Sequence, residues 1–307
     1  MVNIIRKILY KYRNFMNRDI SRELEAILLL NAGLHIHRIN NLDSVEKLDE
    51  VEFKVFSQWG EDGIIQYLIH NIPIENKLFV EFGVEDYQEA NTRFLLINNN
   101  WKGIIFDGAP KNIKAIINSD IYWKYDLKAE LHFITKENVN SIIKNNNIPE
   151  DIGLLSIDID GNDYWVWEAI NSIYPRIVIC EYNGVFGNDK AVTIPYNPDF
   201  IRSKAHYSHL YFGASLKALC FLAEQKGYDF VGSNSVGSNS FFVRKDLSKN
   251  LPIKTAVDGY IESNIRESRD KNNILTYETG KNRLELIKHL PVIDVLTEKE
   301  ILLSHLL

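Results

Sequence analysis

Cysteine is scarce: the 307 residues contain only Cys180 and Cys220. No C-x-x-C pair exists, which excludes the usual zinc and dithiol motifs. Both thiols lie in apolar surroundings and read as small core residues. Such usage fits a reducing compartment, so a cytoplasmic protein is expected. Long apolar runs are also missing, and none approaches the ~20 residues that span a bilayer. Residues 1–18 intersperse Arg6, Lys7, Lys11, Arg13 and Arg18 with Ile4, Ile5, Ile8, Leu9 and Phe15. They lack the continuous apolar stretch and cleavage site of a signal peptide. A basic amphipathic helix is expected there, used for packing or self-association in preference to a lipid surface. Basic charge is not in excess: 35 Lys and Arg face 41 Asp and Glu, a net charge of -6. That weighs against nucleic acid as the main partner, since phosphate binding calls for a basic footprint. No G-x-G-x-x-G run, internal repeat or Gly/Ser/Pro-rich linker is present.

What is present is globular in balance, with 45% hydrophobic and 25% charged residues. Residues 1–50 read as an N-terminal helical extension, with Leu24, Ile27, Leu28, Leu30 and Leu34 dense before Asn40-Asn41. From residue 55 a helix is expected to run through Ile64 to Ile69 and to close at Pro73. Short β-rich runs then alternate with helix-like sequence: 78–82, 103–106, 121–125, 153–157 and 176–180. This is the βαβ signal of a buried parallel sheet. Each run has a carboxylate at or next to its end: Glu81, Asp107, Asp126, Asp158 and Glu181. Residues 216–227 read as a helix ended by Gly227. Residues 228–231 and 241–243 flank a Gly/Ser/Asn-rich turn, a hairpin that adds an antiparallel strand. The reading is therefore one α/β domain over 51–250 and a helical C-terminal extension over 251–307.

In open α/β sheets ligands bind beyond the carboxyl ends of the strands. The turn Glu81-Phe82-Gly83-Val84-Glu85 has a single glycine, so a pyrophosphate cofactor is not expected. S-adenosylmethionine (SAM) carries no phosphate, and its sulfonium and amino group suit Glu85. Asp107, with Gly108 beside it, lies 26 positions after Glu81 (107 − 81), where a ribose-binding acid belongs. Asp126 is placed as an acceptor for the adenine amino group.

Three segments together carry a family resemblance: Ser57-Gln58-Trp59-Gly60-Glu61-Asp62-Gly63, Phe79-Val80-Glu81-Phe82-Gly83-Val84, and Ile157-Asp158-Ile159-Asp160-Gly161-Asn162-Asp163. Over roughly residues 53–245 the chain resembles the bacterial FkbM-like methyltransferases. The resemblance implies a Rossmann-like seven-stranded sheet with an antiparallel last strand. It also implies methyl transfer from SAM, commonly to hydroxyls of sugars or secondary metabolites. By it Glu81 and Gly83 match the cofactor turn, Asp107 the ribose acid, and Ser57 to Asp62, with Ser57 and Gln58, a cap over the cofactor. The chain departs from typical methyltransferase turns, where two or three glycines stand; here Val84-Glu85-Asp86 replaces the later ones.

Asp158 and Asp160, spaced i, i+2 after a strand, join Glu181 and Asn183 after the next strand in an oxygen-rich cluster. Such donors suit Mg²⁺, Mn²⁺ or another hard divalent cation. The pattern is similar to metal-dependent sugar O-methyltransferases of the macrocin type. A metal lowers the pKa of a bound hydroxyl and orients it, while a base takes the proton. Asp160, His206 and His209 are the candidates for that base. Tyr196, Phe200, Tyr207, Tyr211 and Phe212 supply aromatic surface nearby. The expected activity is O-methylation of a sugar or sugar nucleotide. A metal-free small-molecule methyltransferase and a catalytically silent nucleotide-binding scaffold are the alternatives, and a homo-oligomer is a further expectation.

Overall fold

Four of the five apolar runs form strands where the alternation with helices says they should. β1 (Leu78–Phe82), β2 (Lys102–Asp107), β4 (Leu154–Ile157) and β5 (Ile177–Glu181) are parallel. β1 and β4 are buried at every position, as strands covered on both faces must be. With β3 (Leu127–Leu131), β7 (Tyr228–Ser233) and β8 (Asn239–Arg244) they make a seven-stranded sheet in the order β3-β2-β1-β4-β5-β8-β7. β8 runs antiparallel to both β5 and β7. This is a Rossmann-like α/β fold with an antiparallel strand completing the sheet.

The computed structural model describes residues 23–306. The chain divides into two units, residues 1–43 and residues 44–307. In the first unit residues 23–40 are helical and end at a turn on Asn41, as the sequence suggests. Leu30 and Leu34 on this helix are largely exposed. The expectation for residues 1–18 falls outside the described residues.

In the second unit, helix Glu61–Asn71 begins later than expected, because 55–60 is occupied by a capped loop. Helix Asp163–Ala169 lays Trp167 against Phe242 and Tyr228, with ring centroids 4.9 and 6.0 Å apart. Helix Leu216–Gln225 starts at Ser215, whose hydroxyl accepts from the Ala218 amide, and the chain leaves it through Gly227 at φ 81°. Residues 251–307 are less helical than expected: Lys281–Ile287 is the one α-helix among the described residues there. β9 (Pro291–Asp294) and β10 (Lys299–Leu302) instead join β6 (Val192–Thr193) in a small antiparallel sheet.

One strand is corrected. Residues 120–124 form a short helix, and β3 follows at Leu127–Leu131. Ser119 holds the extended conformation of an N-cap and Asp120 opens the first turn, both helix-start signals. Leu-Lys-Ala-Glu-Leu has helix-forming composition, yet it pairs with β2 along its length, so tertiary pairing overrides propensity.

Candidate functional site

The strand order reverses between β1 and β4, since β2 lies on one side of β1 and β4 on the other. The crevice at such a switch point is where α/β sheets bind ligands. A cavity of about 780 Å³ opens there, within the roughly 300–1,000 Å³ typical of small-molecule sites. Gly83 sits at its floor with φ 79°, and a Cβ there would stand 1.6 Å from the Asp158 carbonyl oxygen. Glycine is required by this backbone contact as well as by the turn.

One half of the cavity is bounded by the ends of β1, β2 and β3. Asp107 Oδ1 accepts from the Ala109 amide (2.7 Å) and Asn112 Nδ2 (2.9 Å), and its Oδ2 accepts from the Glu85 amide (2.9 Å). Glu85 takes a left-handed φ of 48° to make this bond. Gly108 lies against the Phe133 ring, which a Cβ would approach to 2.9 Å. That ring is 48% exposed and lines the cavity, presenting an apolar face. Glu81 is buried, and its carboxylate accepts from the amides of Asn91 and Thr92 and the Thr92 hydroxyl. Burial pushes its pKa up.

Asp126 does not reach this site. It precedes β3 instead of ending it, at the opposite edge of the sheet, with its side chain 70% exposed and 3.6 Å from Lys102 Nζ. The carboxyl end of β3 brings His132, Phe133 and Ile134 to the cavity in its place. Ser57 is also displaced from its expected role. It is fully buried in a loop where Asp62 Oδ2 accepts from the amides of Val55, Phe56 and Ser57, and the Ser57 hydroxyl accepts from the Asp62 amide. Glu61 accepts from the amides of Trp59 and Gly60 and from Asn234 and Asn239 of the β7–β8 hairpin. Most of this motif therefore ties helix Glu61–Asn71 to the sheet, and Gln58 is its residue on the cavity wall.

The other half of the cavity lies beyond β4 and β5. Asp163 closes the 158–163 loop: Oδ1 accepts from the Ile159 amide and Oδ2 from the Gly161 amide. Asp160 stands at φ 56°. One carboxylate oxygen each from Asp158, Asp160 and Glu181 then lies within 4.8 Å of the others. Loss of water, and next the charge of Asp160, pushes the Asp158 pKa well above the usual carboxylate range; loss of water and the charge of Asp158 do the same to Glu181. Glu181 Oε2 is buried with no hydrogen-bond partner. Three hard carboxylate donors, one of them with a buried and unpartnered oxygen, fit a divalent cation.

Sequence reasoning missed the cation already present. Arg202 Nη1 donates to Asp160 Oδ1 at 2.7 Å, Nε donates to the His209 carbonyl, and the guanidinium lies 3.8 Å over the Phe212 ring. The C-terminal segment, which shows no motif, adds Glu267 and Arg283 to the wall. Of the histidines, His206 lies outside the cavity lining, bonded through Nδ1 to the Ser208 hydroxyl, with its pKa lowered by burial. His209 pairs with Glu267 at 3.4 Å and borders a smaller adjoining cavity. Asp160 is the base candidate on the main cavity wall.

No family model matches the chain, and no curated protein matches it. Solved structures do. The N-terminal domain of EvdMO1 with SAH bound is 8% identical with a TM-score of 0.39, over 61% of this chain and 80% of that one. The same domain in the presence of SAH and D-fucose is 9% identical at 0.39, over 73% and 94%. Aeropyrum pernix fibrillarin with natively bound S-adenosyl-L-methionine is 10% identical at 0.35, over 55% and 67%. Likenesses this distant say nothing of the donor, acceptor or metal of this chain.

Proposed function

We propose that the chain is a SAM-dependent O-methyltransferase acting on a carbohydrate hydroxyl with the help of a divalent cation. The observation that carries this is the convergence of Asp158, Asp160 and Glu181 beside a crevice suited to SAM. The donor half is lined by Glu81, Glu85, Glu89 and Asp107 and by neither lysine nor arginine. Carboxylates without basic residues favour a cationic sulfonium donor and disfavour a pyrophosphate. Asp107 is positioned as the ribose acceptor, and Phe133 offers its ring to the adenine.

Asp158, Asp160 and Glu181 would hold the cation, which would lower the pKa of the acceptor hydroxyl and orient it. The acceptor oxygen gives its lone pair to the methyl carbon as the carbon–sulfur bond breaks, and that bond's electron pair stays on sulfur. The hydroxyl proton passes to the Asp160 carboxylate. The products are the methyl ether and S-adenosylhomocysteine.

A metal-free version is favoured by one observation, the Arg202–Asp160 ion pair, which neutralises part of the cluster unaided. Mass spectrometry of sugars incubated with protein and SAM, with and without chelator, separates the two. Methylation that is lost on chelation and restored by Mg²⁺ or Mn²⁺ is expected. Full methylation after exhaustive chelation refutes the metal, and no methylated sugar refutes the acceptor class.

A further inference from the structure

The acceptor half adjoins a second cavity of about 340 Å³, and Asp160, Arg202 and Glu267 border both. We infer that the acceptor is an uncharged glycan of at least two rings, with the methylated ring at the acid cluster and the next ring in this annexe. This rests on the carbohydrate reading above and narrows it, against a sugar carried on a nucleoside diphosphate.

The charge of the lining favours a neutral acceptor over a diphosphate. The main cavity is lined by eight carboxylates and two arginines, and no lysine lines either cavity. Both arginines already face carboxylates that offset their charge. Arg202 is bonded to Asp160 and stands 3.8 Å from Glu267. Arg283 is buried, donates to the carbonyls of Ser263 and Ile265, and pairs with Glu262 at 3.0 Å. Asp158, Asp160, Glu181 and Glu267 leave the acceptor half acidic against these two. A divalent cation would bring it to balance, and a diphosphate would add about two negative charges to a low-dielectric crevice. A neutral sugar adds none.

The annexe has the composition that a sugar ring asks for. Phe200 offers an apolar ring face, and Ile201 is 40% exposed and lines the space. Arg202 has five N–H groups and hydrogen bonds account for two of them, so donors remain for ring hydroxyls. Glu267 and Ser203 supply acceptors on the same wall. Contacts to a ring that does not react lend binding energy to the one that does.

The test offers neutral hexoses and deoxyhexoses in three forms: methyl glycosides, disaccharide methyl glycosides and nucleoside-diphosphate sugars. With SAM and Mn²⁺ present, kcat/KM for the preferred disaccharide should exceed that of its monosaccharide by on the order of tenfold or more, mostly through KM. The diphosphate form should be the poorest. Ile201→Trp, which fills the annexe, should bring the disaccharide-to-monosaccharide ratio down to about one, with SAM titration confirming that the variant folds. A wild-type ratio near one, a ratio untouched by Ile201→Trp, or preference for the diphosphate form overturns the inference while leaving the carbohydrate reading intact. Methylation of none of the three forms, with SAM bound, overturns that reading and the inference with it.

Discussion

Asp107 shows how much one residue can be read from position and how much cannot. Its place at the end of β2 is where a ribose-binding acid is expected, and the structure puts it on the cavity wall. The same carboxylate also braces the walls, by accepting the amides of Glu85 and Ala109. Oδ1 already takes two donors and Oδ2 one, so Oδ2 retains capacity for a ligand hydroxyl. Asp107→Ala should weaken SAM binding by roughly 1–3 kcal/mol. Calorimetric titration that shows unchanged affinity would remove Asp107 from the site. Gly83, Asp158, Asp160 and Glu181 were legible for the same reason: strand ends are visible as the close of apolar runs. Arg202 was not, because it stands 42 residues from Asp160. A lone arginine opening a one-turn helix has no periodicity or spacing that announces a partner brought to it by folding.

At the scale of elements, the strands buried on both faces were readable and β3 was not. β3 alternates between buried and exposed at its start and is made of residues that favour helix, so only its register with β2 reveals it. Misplacing it carried Asp126 to the wrong edge of the sheet. The loop before helix Glu61–Asn71 was recognised as a motif, but its role was misjudged, because capping and ligand contact draw on the same residue types. Asp62 is the keystone of that loop. Three amides converge on its Oδ2, while Oδ1 is buried without a partner. Burial raises its pKa from 3.8 to about 6, against the opposing effect of the Ser57, Phe56 and Val55 amides. The folded chain thus keeps this proton over an interval in which the unfolded chain has lost it. The stability contribution is full below the unfolded value and declines as pH rises through about 6. The loss amounts to on the order of 3 kcal/mol. Asp62→Asn keeps an acceptor oxygen and cannot ionise, so it should flatten this part of the profile. Urea denaturation of both proteins between about pH 4 and pH 7 checks it; parallel profiles would show that Asp62 is ionised throughout.

The whole chain has a net charge of -6, and its cavity concentrates that imbalance. Eight carboxylates share the lining with two arginines. Three of them bring oxygens within 4.8 Å of one another. Backbone strain at Asp160, the Asp163 loop cap and the Gly83–Asp158 contact all fix the loop that carries two of the three. The fold therefore holds these charges together at a cost that the unfolded chain does not bear, since there they separate into water. Anything that binds the folded cluster and not the unfolded chain returns part of that cost. Mg²⁺ or Mn²⁺ at about one hundred times its Kd should raise unfolding free energy by about 2.7 kcal/mol. Asp158→Asn acts on the same term from the other side. It removes one repelling carboxylate, so without divalent cation the variant should be at least as stable as the natural chain. With cation it should gain little, because a ligand is gone. The crossing of these two responses separates a binding cluster from a merely acidic surface, which would show neither. Denaturation midpoints for both proteins, with cation and with chelator, measure all four corners. If the natural chain unfolds at the same midpoint with and without cation, Arg202 alone is the counter-charge and the cluster holds no metal.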